Sequence, residues 1–173
     1  MVKSVFAVAA LAVVAQAAPS INVYWGQKGS NRLRTYCDST GFEYITVSFV
    51  TSTPEKDPAG AGYPGTNFGS HCNADVYSAN GKKTRLLSKC DQISADIPYC
   101  QARGKKVLLS IGGDHSKPDV SYGLKDKAEG TKFANFLWGA FGPNKTSYVR
   151  PFDSAGKITN NQVSLLPRSR RPK

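Results

Sequence analysis

An α/β fold carried by parallel strands is what this 173-residue sequence predicts. Three short runs rich in β-branched and aromatic residues, at 21–25, 44–50 and 106–111, read as strands. Long connections separate them, and apolar residues at helical spacing stand before and after the third. Strands joined through such connections pair parallel with right-handed crossovers, because a tight turn cannot return the chain to a parallel neighbour.

Taken in order, the first run is Ile21-Asn22-Val23-Tyr24-Trp25, closed by Gly26. The second extends from Tyr44 to Val50. The stretch 54–80 is dense in Gly, Pro, Asn and Ser without an apolar period, and reads as a long ordered loop. Leu86, Cys90, Ile93, Ile97 and Cys100 then follow helical spacing. Pro98 interrupts that run, so the helix either starts close to Ser94 or is kinked there, and Gly104 ends it. The third strand, Lys106 to Ile111, is nearly all apolar, as buried parallel strands are, and Gly112-Gly113 terminates it. Phe133, Phe136, Leu137, Ala140 and Phe141 share one face of a second helix, stopped by Gly142-Pro143. After Ala155 neither period persists, and 156–173 reads as a basic, disordered tail.

The ends and the cysteines set the compartment. Lys3, the apolar run from Val5 to Val14 and Ala15-Gln16-Ala17 have the three parts of a secretory signal peptide, placed at 1–17. The apolar run is too short to span a bilayer, and no other stretch reaches the roughly 20 residues a span takes. A secreted, extracellular protein is expected, with Cys37, Cys72, Cys90 and Cys100 in two disulfides of three possible pairings. No CxxC occurs and only His71 neighbours a cysteine, so neither a metal site nor a cofactor is expected. Asn144-Lys145-Thr146 is an N-glycosylation sequon. The formal charge is +11, but Lys157, Arg168, Arg170, Arg171 and Lys173 crowd the tail without a single acid among them. The remaining cations are scattered and form no stripe interleaved with aromatics, which argues against a nucleic-acid partner.

Four segments then carry a family resemblance. Ile21 to Gln27 (Ile-Asn-Val-Tyr-Trp-Gly-Gln) resembles the first-strand motif of glycoside hydrolase family 18, in its class III plant and fungal chitinase branch. Phe42 to Phe49 is similar to the family's second strand. Cys100 to Gly113, ending in Ser110-Ile111-Gly112-Gly113, looks like its helix and third strand. Phe136-Leu137-Trp138 and Arg150-Pro151-Phe152-Asp153 resemble the helix and exit loop that follow. The resemblance implies a partial (β/α)₈ barrel over 18–155, about the first three strands, with the substrate cleft at the C-terminal strand ends. It implies that Tyr24 and Phe49 line subsites for N-acetylglucosamine units, since aromatic faces stack on pyranose rings. It implies close backbone approach to sugar at Gly112 and Gly113, and disulfides Cys37–Cys100 and Cys72–Cys90. The expected partner is chitin or a chitooligosaccharide, bound by a monomer.

The departure from the family is equally plain. Family 18 chemistry uses an Asp-x-x-Asp-x-Asp-x-Glu motif at the end of the fourth strand, with the substrate's own N-acetyl group as nucleophile, an exception to the two-carboxylate scheme. No such cluster occurs in this sequence, and no acid follows Asp153. No catalytic residue is therefore assigned, and a chitinase-like hydrolase truncated before its catalytic acid, inactive as written, is expected. The alternatives are a non-catalytic secreted chitin or carbohydrate binder and a small disulfide-held effector.

Overall fold

A computed structural model of the chain describes residues 20–112, 122–142 and 148–153. The expected signal peptide, Gly113, the Asn144 sequon and the 156–173 tail lie outside the described residues. The three expected strands are present as β1 (Asn22–Trp25), β2 (Tyr44–Val50) and β5 (Lys106–Ile111). They form one parallel sheet in the order β1-β2-β5, with Val23 opposite Ile45 and Ile45 opposite Val107. The Ser48–Phe49 peptide is cis, and the β2–β5 register shifts between Val47 and Val50. A mixed α/β architecture is thus established; no barrel is closed among the described residues.

One face of this sheet makes the core. Ile45, Val47 and Val107 are fully buried, together with Leu33 and Cys37 of α1 (Leu33–Cys37) and Ile93, Ile97 and Cys100 of α2 (Asp91–Ala102). Alternation along β2 and β5 points these side chains one way, and the i, i+4 spacing of Leu33 with Cys37 and of Ile93 with Ile97 turns each helix toward them.

Two expectations for the middle of the chain need correction. The stretch read as a loop to Asn80 ends in a strand, β3 (Val76–Ala79), which pairs antiparallel with β4 (Lys82–Leu87). The turn between them is Asn80-Gly81, with φ of 52° and 71°, the positive values that a two-residue hairpin loop of this hand requires. Leu86 therefore belongs to a strand and not to the helix, which begins at Asp91. Pro98 lies inside α2 and faces solvent. It withholds an amide from the helical ladder, and the buried row Ile93, Ile97, Cys100 holds the helix nonetheless.

Asp96, 1 % exposed, couples the two helices. Its carboxylate accepts from Arg32 Nε (3.1 Å) and Nη2 (2.5 Å), from Arg34 Nε (2.8 Å) and from the Arg34 backbone N–H (3.3 Å). The last contact satisfies an orphan amide at the start of the one-turn α1, which no side chain of its own caps. Cys37–Cys100 joins the same two helices, and Cys72–Cys90 pins the loop before the hairpin to the start of α2.

A second packing centre lies under α3 (Lys127–Phe141), where Phe68 and Phe141 each meet Phe152, at ring centroid distances of 5.1 and 5.2 Å. Asp126 caps this helix by accepting from the Glu129 N–H, and Glu129 accepts in return from Lys125 N–H. At the other end Arg150 donates to the carbonyls of Gly139 (2.7 Å) and Gly142 (3.1 Å) and pairs with Asp153. The Arg-Pro-Phe-Asp segment is thus a C-terminal clasp for α3: its guanidinium meets the last carbonyls and its phenyl ring enters the core.

His71 is buried at 4 % exposure beside the Trp25 ring, centroids 4.2 Å apart, and its Nε2 has no partner. Burial pushes its imidazole pKa down, because the cation loses water without gaining an acceptor.

Two outcomes follow. On the chain-entropy relation, the Cys37–Cys100 bridge spans 63 residues and the Cys72–Cys90 bridge 18, so their removal costs about 4 and about 3 kcal/mol respectively. Urea unfolding of the two double Cys→Ala variants checks this order, and peptide mapping under non-reducing conditions checks the pairing. For His71, the unfolded chain binds the proton more readily than the folded one, so stability is full above the unfolded pKa near 6.5 and declines as pH falls below it. Melting temperature against pH in wild type and His71→Phe measures this: the variant lacks the decline in the mildly acidic range, and parallel curves would exclude the effect.

Candidate functional site

The C-terminal ends of β1 and β2 meet a crossing segment, 65–67, which lies between β2 and β4. Thr51 N–H donates to the Gly65 carbonyl, Thr66 N–H to the Arg85 carbonyl, and Phe49 and Asn67 exchange both backbone hydrogen bonds (2.6 and 2.9 Å). Space is tight here. Gly26 has φ of 120°, and a Cβ on it would stand 2.8 Å from the Ser48 carbonyl oxygen, so a side chain at this position would collide with backbone.

Beside this junction runs a groove of about 530 Å³ lined by Tyr24, Trp25, Gln27, Tyr36, Phe42 and Phe49, among others. Residues from both faces of β1 contribute, so the groove follows that strand's outer edge. Tyr24 is 66 % exposed and Phe49 half-buried, with ring centroids 6.4 Å apart and planes inclined at 33°. Two broad faces at this spacing can stack against apolar faces of a flat polar ligand, while the Tyr24 hydroxyl remains free to donate or accept. Trp25 lies at the floor, 8 % exposed, and donates from Nε1 to the Asn31 carbonyl (3.1 Å), fixing the loop that follows β1.

Of the residues that sequence analysis points to, Tyr24 and Phe49 are brought together. Gly112 does not line this groove. It is buried, its N–H continues the ladder to the Val50 carbonyl (2.9 Å), and the Tyr122 ring lies over it, 3.4 Å from where a Cβ would be. Gly113 lies outside the described residues. Trp25, Gln27, Tyr36 and Phe42 were assigned no role from sequence. The first two stand inside the motif that carries the resemblance, and their adjacency to Tyr24 was the signal available.

Among the described residues no carboxylate lines the groove. Asp38, Glu43 and Asp57 are each committed to contacts within the fold. Asp38 accepts from Tyr99 and Arg103, which hold its pKa below the usual carboxylate range, and the hydrogen bond from Lys106 does the same for Glu43. Asp57 spends both oxygens on the N–H groups of Ala59, Ala61 and Tyr63. A general acid at neutral pH needs the opposite displacement.

No protein-family model matches the chain. Curated relatives do. The chain is 46 % identical over 144 residues to endochitinase A of Aspergillus niger, covering 80 % of this chain and 11 % of that protein. It is 43 % identical over 158 residues to endochitinase 2 of Coccidioides posadasii, covering 89 % and 18 %, and 48 % identical over 153 residues to endochitinase A1 of Aspergillus fumigatus, covering 84 % and 18 %. Among solved structures it resembles the ICChI chitinase of Ipomoea carnea (TM-score 0.58, 28 % identity, 76 % of this chain and 41 % of that one). It also resembles the xylanase and α-amylase inhibitor protein XAIP-II of Scadoxus multiflorus (TM-score 0.55, 27 % identity, 79 % and 41 %). The chain therefore spans less than a fifth of the curated relatives compared and about two fifths of the structural ones. It is a homologue of the fungal endochitinases that corresponds to a short portion of their length, with a fold similar to that of plant chitinase-like proteins.

Proposed function

We propose that this chain is a secreted, chitinase-like carbohydrate-binding protein that holds chitooligosaccharide on the Tyr24–Phe49 pair and does not hydrolyse it by itself. The observation that carries the reading is the aromatic pair of exposed Tyr24 and half-buried Phe49, at the β1 and β2 ends, in a chain 43–48 % identical to proteins named endochitinases. Residues 18–155 form the first part of a (β/α)₈ barrel in this reading, 1–17 a cleaved signal peptide and 156–173 a basic tail. The signal-like N-terminus, two disulfides and the Asn144 sequon favour an oxidising, secretory route. None of the described helices is long and apolar enough to cross a membrane.

Binding and hydrolysis separate on physical grounds. Stacking on sugar needs only ring faces and access, whereas cleavage needs a carboxylic acid within roughly 3 Å of the glycosidic oxygen. The sequence carries no Asp-x-x-Asp-x-Asp-x-Glu, and Asp38 and Glu43, close in sequence to the groove residues Tyr36 and Phe42, are engaged by cations or a phenol. In this reading Gly113 contributes backbone to the sugar site, Gly112 supports it from beneath Tyr122, and the protein acts as a monomer. A second reading, a non-catalytic binder of other partners, draws on the likeness to a protein named for inhibiting xylanase and α-amylase.

The test is the secreted 173-residue chain in a chitin pull-down and with a fluorogenic chitooligosaccharide. Retention on chitin without turnover is expected, and Tyr24→Ala weakens retention about fivefold, on the order of 1 kcal/mol. Turnover above buffer would place a catalytic acid elsewhere in the chain, and absence of retention would favour the second reading.

A further inference from the structure

We propose that Gln27 is a positioning residue for the aromatic pair, a role that rests on the carbohydrate-binding reading above. The β1–β2 ladder ends with Trp25 opposite Val47, so strand register does not fix where Phe49 stands relative to Tyr24. The Gln27 side chain bridges that gap. Its Nε2 donates to the Ser48 carbonyl at 2.8 Å and to the Asn67 carbonyl at 2.9 Å, with the Gly26 carbonyl at 3.3 Å. An amide nitrogen has two hydrogens, so the two short contacts use both and the third is at most a shared one. The two close acceptors bracket Phe49. Ser48 precedes it in the chain, and the Asn67 oxygen that accepts from Gln27 is also the one that accepts from Phe49 N–H. Asn67 is braced in turn, since its Oδ1 accepts from Gly69 N–H at 2.8 Å.

Three carbonyl oxygens converging on one point repel one another unless a donor stands between them. The close packing at Gly26 and at Gly69, where a Cβ would come 2.7 Å from the Gly26 oxygen, leaves the backbone no slack on the opposite side. Removing the donor therefore relaxes the junction in the remaining direction. The Asn67 strap and Phe49 move with respect to Tyr24, and the 6.4 Å ring spacing is lost. Gln27 acts on ligand through Phe49 and not by replacing it.

Titration of the N-acetylglucosamine hexamer into wild type, Gln27→Met, Phe49→Ala and the double variant tests this. Gln27→Met keeps length and removes both donors, and is expected to weaken binding about tenfold, the scale of one or two net hydrogen bonds. Phe49→Ala weakens binding similarly, and the double variant binds no more weakly than Phe49→Ala alone. Gln27→Glu supplies a second readout. Its carboxylate repels the three carbonyls at neutral pH and regains one donor as it protonates near pH 4, so its affinity rises on acidification relative to the profiles of wild type and Gln27→Met. Equal binding by wild type and Gln27→Met, losses that multiply in the double variant, or a Gln27→Met chain that fails to fold would each overturn the assignment. A wild-type chain that does not bind the hexamer would instead remove the carbohydrate-binding reading on which it stands.

Discussion

A buried carboxylate must find its counter-charges within the fold, and Asp96 finds them only when α1 and α2 are already side by side. Two guanidinium groups and one backbone amide converge on it, all from the start of α1, while Asp96 itself points inward from α2. Removing an ionised group from water costs several kcal/mol, and its partners recover that cost only at good geometry. A placement that separates the two helices leaves the charge without these partners. The helices in turn cover the Ile45, Val47 and Val107 face of the sheet, so sheet burial depends on the same contact. The Cys37–Cys100 bridge, joining the last residue of α1 to α2, limits the alternatives the unfolded chain can sample.

The parallel strands were legible because their signal is local. β-branched and aromatic residues crowd 44–50 and apolar ones 106–111, and the limits of β2 and β5 fall where composition changes. The hairpin was missed through misplaced emphasis: Gly and Pro density in 54–75 was extended over Asn80-Gly81, although Asn-Gly between alternating residues is itself a turn signal. α2 was obscured by Pro98, whose propensity cost is outweighed by burial of the opposite face. The one-turn α1 left no periodic trace. Five residues cannot propagate a helix unaided, and its amide is satisfied from 62 positions away in the chain.

The site divides in the same manner. The proximity of Tyr24 and Phe49 is legible because the resemblance places both at neighbouring strand ends. Gln27, in the same motif as Tyr24, carries no mark of its role. That role comes from carbonyls 21 and 40 residues distant, brought within reach by a loop whose path the sequence does not announce. Gly112 is legible in part. It ends its strand as the sequence suggests, and the Tyr122 ring that lies over it carries no local sequence signal.

Asp38, Glu43 and Asp57 show how the fold engages its described acids. Each accepts hydrogen bonds that hold neighbouring segments together. Asp38 and Glu43 are drawn below the usual carboxylate range by the groups they accept from, and Asp57 folds a loop around three amides. Proton donation needs a carboxyl held neutral by burial or by a neighbouring negative charge, an environment that opposes those stabilising contacts. An aromatic pair meets no such conflict, because its packing and its ligand contact draw on the same apolar surface. In the proposed binding mode sugar stacking requires little of the fold beyond correct placement of two rings, and that placement is the task proposed for the amide of Gln27.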